Sequence, residues 1–431
     1  LHDMPENAFY DDADHQKYLR FNLAVAENLA RTASQRKAAP IHYFIQDYQM
    51  SKVSEYLNVK PSTTSSIFWH VPWPRDVQEE HIATMKDVAM GLLHASTIGF
   101  HLTEYASNFL EFVQEHMPEF DVDLQEMSAS KSLPKSEGIA LIRQRKTQLV
   151  VQPIGIDLSF WKEKVPNQHS AESVDTVLKS AKIEVTTNEE PIHNKEISRL
   201  HEKLGINRSL PFVLSVDRGD YTKGVLPRLE AIGHYFESHP DQLKKIVFVQ
   251  VCQPTRVGLH FFDRYWSECI QKAEEINSKW RNENWSPIHW ISTSLSANAL
   301  AVLYRDAAGM IVSSVRDGLN LTSKEFIACA NSTAVLMLSR GAGSFHELTE
   351  FVIEINPDDP AKLAEQMHAA LNQTESIRAL KIEELKATLS INSLDQWWET
   401  FASDVAPPMR PVSNIQGKKY NRGPKKVATA L

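Results

Sequence analysis

Cysteine is scarce in this chain of 431 residues, which contains only Cys252, Cys269 and Cys329. They form no CxxC pair and an odd number cannot pair completely, which argues against a disulfide framework or a cysteine-rich metal site and for a reducing compartment. No apolar run reaches the roughly 18 residues of a membrane span, and the N-terminus lacks the basic and apolar segments of a signal peptide. We therefore expect a cytoplasmic protein without a membrane anchor, and Leu1 indicates that the start of the natural chain is missing.

A strong excess of charge is also lacking. The chain has 46 basic and 54 acidic residues, a net charge of −8, and a hydrophobic content of 42%. Such a mildly acidic chain has no general affinity for nucleic acid or anionic membranes. Its length and apolar content are sufficient for two ordinary α/β domains.

The second half of the sequence alternates short apolar segments with amphipathic ones. Residues 211–216 read as a buried strand, and Val225, Leu229 and Ile232 then share one helical face. The first half has the same pattern, with strands expected at 41–46, 65–71 and 96–102, and a hairpin expected within 118–150. This alternation predicts parallel sheets with right-handed crossovers and helices on both faces.

We therefore predict an α/β protein with two doubly wound, Rossmann-like domains. The predicted segments are an N-terminal domain at 1–207, a C-terminal domain at 208–385, a helix at 386–406 that packs back across the domain junction, and a disordered basic tail at 407–431.

The string VDRGDYTKG, at 216–224, directly follows an apolar strand. Ligands of open α/β sheets bind at the carboxyl ends of strands. There Arg218 can offer a bidentate fork, and Lys223 a point charge, to the phosphate that departs when a bond to a nucleoside diphosphate breaks. The alternative is that both are solvated loop charges.

The string RDGLNLTSKEF, at 316–326, joins another strand to a helix. Backbone N–H groups near Asn320 and Leu321 suit a phosphate, and Glu325 suits the hydroxyl pair of a ribose. The alternative is structural, because Thr322 followed three residues later by Glu325 spells a capping box. With the first string, this one predicts a site for a sugar nucleotide.

Six motifs make the chain resemble the trehalose-6-phosphate synthase family of retaining glycosyltransferases across about residues 15–403. In chain order they are HVPWP (70–74), TIGFH (97–101), QPIGID (152–157), VDRGDYTKG, QPTR (253–256) and RDGLNLTSKEF. The resemblance implies two Rossmann-like domains around a cleft (the type B glycosyltransferase fold). It also implies transfer of glucose from UDP-glucose or a similar donor to glucose 6-phosphate, with no metal or other cofactor and with retention at the anomeric carbon.

The resemblance also implies roles for individual residues. On the donor side, Arg218 and Lys223 match the pair that holds the diphosphate. Asp317, with the backbone of Gly318 and Leu319, matches the group that binds glucose hydroxyls. Glu325 matches the ribose ligand. Elsewhere, His70 matches a contact to the transferred sugar, Asp47 an acceptor contact, and Arg256 a cation for the acceptor phosphate. The departing phosphate oxygen assists the acceptor hydroxyl in this family's front-face mechanism, so no protein nucleophile is expected.

Each of the last three residues also has a structural interpretation. His70 follows an apolar run and could be a satisfied core histidine, Asp47 at a strand end could be a helix N-cap, and Arg256 could be an ordinary surface charge.

The chain departs from the family pattern mainly on the acceptor side. The family string HDYH reads QDYQ here, with Gln46 and Gln49, and Gly219 replaces a leucine in VDRLDY, which we expect to loosen that loop. The family's first strand, an arginine and a Gly-rich loop have no counterpart in this sequence. Glucosylglycerol-phosphate synthases and pseudoglycosyltransferases share the scaffold and remain alternatives, as does a non-catalytic sugar-phosphate sensor. Homo-oligomerisation also remains open.

Overall fold

The structure is a computed structural model. It describes residues 11–35, 41–57, 63–120, 122–124, 137–142, 147–165, 202, 204, 206 and 209–405. The predicted basic tail at 407–431 lies outside the described residues.

The first of two sheets comes from the N-terminal half. Its strands are β1 (Ile41–Gln46), β2 (Thr63–Trp69), β3 (Thr97–Phe100), β4 (Val122–Leu124), β5 (Glu137–Ile142) and β6 (Thr147–Val151). Their spatial order is β1-β2-β3-β6-β5-β4. The first four pair in parallel, while β5 pairs antiparallel with both β6 and β4. An antiparallel hairpin therefore occupies the region in which one was predicted.

The second sheet is parallel between every pair of neighbours. Its strands are β7 (Phe212–Arg218), β8 (Val247–Gln253), β9 (Ile288–Ile291), β10 (Gly309–Val312), β11 (Val335–Ser339) and β12 (Ile353–Ile355). The spatial order is β12-β11-β10-β7-β8-β9, so the order reverses between β7 and β10. Such a reversal opens a crevice at the carboxyl ends of the two strands, where ligands of this fold bind.

Helices connect and flank the strands of both sheets. In the N-terminal half they are α1 (Asp12–Gln35), α2 (Val53–Tyr56), α3 (Ile82–Leu92), α4 (Thr103–His116) and α5 (Leu158–Lys164). In the C-terminal half they are α6 (Val225–Ser238), α7 (His260–Trp280), α8 (Ala297–Asp306), α9 (Leu321–Cys329), α10 (Phe345–Leu348), α11 (Pro360–Leu371), α12 (Glu375–Ile391) and α13 (Leu394–Val405). Two sheets, one parallel throughout and one parallel across four of its six strands, with such helices confirm the predicted α/β class.

The last helix, α13, crosses from the second sheet to the first. The ring of Trp397 lies 5.2 Å from that of Phe68 in β2, and Phe401 lies 5.1 Å from Phe44 in β1. Just before α13, the amide of Asn392 donates to the carbonyl of Pro153 at 3.2 Å. The helical conformation is interrupted at Asn392 and Ser393, so the segment predicted as one helix at 386–406 contains the end of α12 and then α13.

Helix α1 was not predicted from the sequence. Of its 24 residues only Asn22 and Ala26 are buried, so the helix contributes little to the core. The amide of Asn22 instead anchors it by donating to the carbonyls of Tyr18 and Gln49, each at 3.0 Å.

The three cysteines are buried, unpaired thiols. Burial raises the pKa of Cys269 and of Cys329 to about 12, so neither is a reactive thiolate near neutral pH. Among the described helices, none has the length and apolarity needed to cross a membrane.

Candidate functional site at the domain junction

The loops after β7 and β10 meet where the strand order reverses. The amide of Val315 donates to the carbonyl of Thr222 at 2.8 Å, which ties one loop to the other. Across this contact the amine of Lys223 pairs with the carboxylate of Asp317, and the two side chains are only 14% and 15% exposed. The two motifs found in the sequence therefore form one site.

Backbone geometry fixes Lys223 in this loop. The buried carboxylate of Asp220 accepts from the Thr222 amide at 3.1 Å and from its hydroxyl at 3.0 Å. Gly224 follows with a φ of 61°, and a Cβ there would lie 2.0 Å from the carbonyl oxygen of Ser313. Only glycine fits this left-handed and crowded position.

Arg218 is the last residue of β7 and is exposed. Its guanidinium makes no ion pair or hydrogen bond with another described residue. It can therefore offer its planar donor fork to an anion at the mouth of the crevice.

A second arginine, Arg228 in α6, lies buried beneath the loops of the site. No role was predicted for it from the sequence. It is fully buried and pairs with Asp217 Oδ2 at 2.8 Å. It also donates to Gln250 Oε1 at 2.9 Å and to Ser313 Oγ at 2.7 Å, so it ties together β7, β8 and the end of β10. Burial raises the pKa of the Asp217 carboxyl, although the charge of Arg228 opposes that shift.

The start of α9 is capped by Asn320 and not by Thr322. Asn320 has a φ of 73°, and its side-chain oxygen accepts from the Ser323 amide at 3.0 Å. Its side-chain nitrogen donates to Asp317 Oδ2 at 3.1 Å. The capping-box alternative is therefore wrong, because Asn320 provides the cap and also orients the Asp317 carboxylate.

Glu325 therefore does not cap the N-terminus of α9. Its Oε2 accepts from the hydroxyl of Tyr304 in α8 at 3.1 Å, and burial raises the pKa of its carboxyl above the ordinary value. A half-buried carboxylate with remaining acceptor capacity suits a pair of hydroxyl donors.

The two halves of the protein touch at Gly318. A Cβ at Gly318 would lie only 1.8 Å from the carbonyl oxygen of His70, so a side chain cannot fit there. Next to it the hydroxyl of Tyr105 donates to the carbonyl of Asp317 at 3.3 Å, and Arg316 pairs with Glu104 at 2.8 Å. The motif that begins at His70 therefore lies directly against the motif that contains Asp317.

The ring of His70 packs on the buried ring of Phe68 at 4.9 Å, and both of its nitrogens have polar partners. Its Nε2 is 2.6 Å from Oε1 of Gln46, and its Nδ1 is 3.1 Å from Nε2 of His101. Burial lowers the pKa of His70 against an opposing effect of Asp47, and burial with the nearby charge of Lys324 holds the pKa of His101 well below its ordinary value. His101 is the last residue of the motif TIGFH, which by itself predicts no role for it.

Asp47 occupies the N-cap position of a short 3₁₀ turn, but its side chain does not cap it. Its Oδ1 instead accepts from the backbone amide of His70 at 3.1 Å, and its own φ is 63°. The N-cap interpretation is therefore wrong, and Asp47 lies beside His70 at the carboxyl edge of the first sheet.

Arg256 lies beyond β8, on the same side as the first motif. Its guanidinium is 3.8 Å from Asp220 Oδ2 and lies over the ring of Phe262 at 4.7 Å. The structure thus groups Arg256 with the loop of Lys223, while Asp47 and His70 come from the first sheet.

Gly219 tightens its loop, which corrects the expectation that it loosens it. Its amide donates to the carbonyl of Gln253 at 2.6 Å. A Cβ at this position would lie 2.5 Å from the indole of Trp266. The indole thus occupies the space that a larger residue would need.

Lys324 is a further residue that the sequence reasoning missed, although it lies within a motif. It is fully buried, pairs with the buried Glu347 and donates to the carbonyl of Ile154 at 2.9 Å. Asn392 also donates to Glu347 at 2.8 Å. This polar cluster joins the loop after β6 to α9 and α10. A lysine inside an amphipathic helix gives no sequence signal of burial, so its role could not be predicted.

No group of three His, Cys, Asp or Glu side chains that could hold a metal ion occurs in the described part of the chain. The fold and the site together define a two-domain glycosyltransferase, with a crevice at the switch point of one Rossmann-like sheet that faces the edge of the other.

Comparisons with known proteins agree with that class. The model of glycosyltransferase family 20 matches residues 1–407, and the chain therefore belongs to this family.

Two curated relatives and one solved structure show the range of similarity. Alpha,alpha-trehalose-phosphate synthase [UDP-forming] 2 of Aspergillus fumigatus is 27% identical over 412 residues, which cover 94% of this chain and 77% of that protein. Glucosylglycerol-phosphate synthase of Pseudomonas anguilliseptica is 27% identical over 97% of this chain and 53% of its own length. A trehalose-phosphate synthase from Burkholderia xenovorans, solved in complex with glucose-6-phosphate, has a TM-score of 0.76 at 22% identity and covers 94% of this chain and 81% of that chain.

Proposed function

We propose that this protein is a retaining glucosyltransferase that transfers glucose from a nucleotide-glucose, UDP-glucose or a similar donor, to glucose 6-phosphate and so forms trehalose 6-phosphate. The observation that carries the proposal is the site at the strand-order reversal, where Lys223 pairs with Asp317, Arg218 ends β7, and Gly318 lies against the backbone of His70.

The donor diphosphate binds Arg218 and Lys223. When the glycosidic bond to the donor breaks, negative charge accumulates on the departing phosphate, and fixed cations stabilise it. Because Lys223 is mostly buried, its charge acts in a medium that screens it less than water does.

The donor sugar lies over the start of α9. Asp317, with the backbone of Gly318 and Leu319, holds glucose hydroxyls, and Glu325 accepts from the ribose. The cap formed by Asn320 keeps the Asp317 carboxylate in one orientation, so the sugar meets a preorganised acceptor.

The acceptor enters from the first sheet. Asp47 receives an acceptor hydroxyl, Arg256 receives the phosphate, and His70 contacts the transferred sugar. The departing phosphate oxygen takes the proton of the attacking hydroxyl on the same face of the sugar, which retains the anomeric configuration without a protein nucleophile. The reaction uses no metal and no other cofactor.

The test is a matrix of donors and acceptors. UDP-, ADP- and GDP-glucose are each incubated with glucose 6-phosphate or glycerol 3-phosphate, with EDTA present or absent, while released nucleoside diphosphate is measured and products are identified by NMR. We expect an α,α-linked phosphodisaccharide that forms equally well in EDTA. Absence of nucleoside diphosphate release in every combination would reject the proposal.

A second candidate is glucosylglycerol-phosphate synthesis or a related pseudoglycosyl transfer. It is favoured by the Pseudomonas anguilliseptica relative and by Gln46 and Gln49, which replace the histidines of the family string on the acceptor side. Preferential turnover with glycerol 3-phosphate in the same matrix would favour the first of these.

A non-catalytic sensor of sugar nucleotides or sugar phosphates is the third candidate, again because the acceptor side departs from the family pattern. Calorimetry that measures donor binding without turnover would support it. Absence of donor binding would contradict both the sensor and the transferase.

A further inference from the structure

Three side chains and one backbone amide form a continuous line of hydrogen bonds at the junction. Gln46 ends β1, His70 follows β2, His101 follows β3, and Ile154 follows β6, so the four neighbouring parallel strands of the first sheet each contribute one member. The separations are 2.6 Å from Gln46 Oε1 to His70 Nε2, 3.1 Å from His70 Nδ1 to His101 Nε2, and 3.4 Å from His101 Nδ1 to the Ile154 nitrogen.

The direction of every bond in this line follows from its last member. A backbone amide can only donate, so His101 Nδ1 must accept from Ile154 and carries no proton. The proton of neutral His101 is then on Nε2 and is donated to His70 Nδ1. His70 in turn carries its proton on Nε2 and donates it to the carboxamide oxygen of Gln46.

The opposite assignment of donors and acceptors conflicts with the Ile154 amide. If Gln46 turned its nitrogen toward His70, the protons would move to Nδ1 of each ring, and His101 would present an N–H to the N–H of Ile154. Protonating either ring creates a comparable conflict, since the added proton would lie between two nitrogens that both donate.

We infer that Gln46 is a positioning residue which, with His101, holds His70 as the neutral Nε2–H tautomer. Both ring nitrogens of His70 are then used inside the protein. His70 can meet a sugar only through its ring face or backbone and does not act as a proton acceptor in transfer. This inference rests on the proposed function only for that last consequence, because the tautomer is a property of the protein itself.

The surrounding charges agree with this arrangement. Asp47 lies next to His70 but accepts from its backbone amide, not from its ring. Lys324 packs near His101 and disfavours a second positive charge, and burial lowers the pKa of both rings. A glutamine supplies the acceptor for His70 Nε2 without the negative charge that would favour an imidazolium.

The experiment is ¹⁵N NMR of histidine-labelled protein, with His70 assigned through the His70→Gln variant. We expect the Nε2–H tautomer of His70, with a titration midpoint below the ordinary value for histidine. In Gln46→Glu the new carboxylate faces the same ring proton, and we expect His70 to become protonated with its titration midpoint raised by about one pH unit or more. His42, whose ring contacts Thr64 and Ser66, provides an internal reference that should not move.

Gln78→Glu is the matched control, because Gln78 is exposed and caps nothing through its side chain. A His70 that titrates near its ordinary pKa in the wild type, or carries its proton on Nδ1, would overturn the inference. If Gln46→Glu does not fold, Gln46→Ala should keep the Nε2–H tautomer of His70, because His101 still donates to Nδ1, while the Nε2 proton loses its acceptor and exchanges faster with solvent. An Nδ1–H tautomer in this variant, or an unchanged exchange rate of the Nε2 proton, would equally overturn the inference.

Activity provides a separate readout. The pH profile of kcat/KM should be flat on the acid side in the wild type and gain an acid limb in Gln46→Glu. If neither protein turns over any substrate pair while the NMR result holds, the proposed function fails and the tautomer assignment stands.

Discussion

The two sides of the junction satisfy their polar groups in opposite ways. On the C-terminal side, charge is matched by charge, as in the pair of Lys223 and Asp317 above the buried pair of Arg228 and Asp217. On the N-terminal side, His70 is held by neutral partners, Gln46 and His101. Paired charges can be redistributed when a charged ligand arrives, whereas a line of neutral hydrogen bonds fixes geometry. The contrast suits a diphosphate on one side and an uncharged sugar ring on the other.

The largest effect should come from the buried cluster that joins the two sides. Lys324→Met removes the partner of Glu347 and a donor to Ile154, which leaves a buried carboxylate uncompensated. We expect a loss of about 3–5 kcal/mol in the free energy of unfolding, measured by urea denaturation.

The matched control is Lys279→Met, which breaks an exposed pair with Glu237 and should cost at most about 1 kcal/mol. The double variant Lys324→Met/Glu347→Leu should recover much of the loss. Equal stabilities of Lys324→Met and Lys279→Met would mean that the junction is not held by this cluster.

The donor side should be the more sensitive side in turnover. Lys223→Ala and Arg218→Ala each remove a cation that we propose stabilises the departing phosphate, and we expect kcat/KM to fall by about a hundredfold or more. Arg218 makes no contact that folding needs within the described residues, so its variant should unfold at the wild-type temperature. Steady-state kinetics and differential scanning calorimetry check both statements. Near-normal rates in both variants would reject the donor-site assignment.

The sequence predicted that its two main motifs form one site, and the structure does bring Lys223 and Asp317 together. Both residues lie in the loops that follow β7 and β10, and strand ends of a doubly wound sheet meet by topology alone. The alternation of apolar segments likewise predicted both sheets.

Side-chain partners from distant segments could not be predicted in the same way. Arg228, Lys324 and His101 each bond groups that a single sequence does not place nearby, and Lys324 and Arg228 are charged residues buried against expectation. The alternative of a capping box at Thr322 was wrong because Asn320, two residues earlier, tolerates a left-handed backbone and provides the cap.

A smaller effect should follow from restoring the family leucine in the first motif. Gly219→Leu places a side chain against the indole of Trp266, and we expect a loss of about 1–3 kcal/mol in stability from overpacking. Trp266→Ala in the same chain should relieve the clash, so the two substitutions should be markedly non-additive in a double-mutant cycle. Additive losses would indicate that Gly219 is not limited by Trp266.

The smallest effect separates binding from stability on the donor side. Burial raises the pKa of Glu325, so the folded protein binds its proton more tightly than the unfolded chain does, and the carboxylate lowers stability increasingly as pH rises through that pKa. Glu325→Gln keeps an acceptor for Tyr304 and removes this penalty, so its unfolding temperature should equal or exceed that of the wild type at pH 8, with the difference shrinking toward pH 4. Affinity for the nucleotide-sugar, measured by calorimetry, should nevertheless fall about tenfold, because a charged acceptor for ribose hydroxyls becomes neutral. If the variant gains stability but keeps full affinity, Glu325 is not part of the donor site, and the assignment of Arg218 and Lys223 is unaffected.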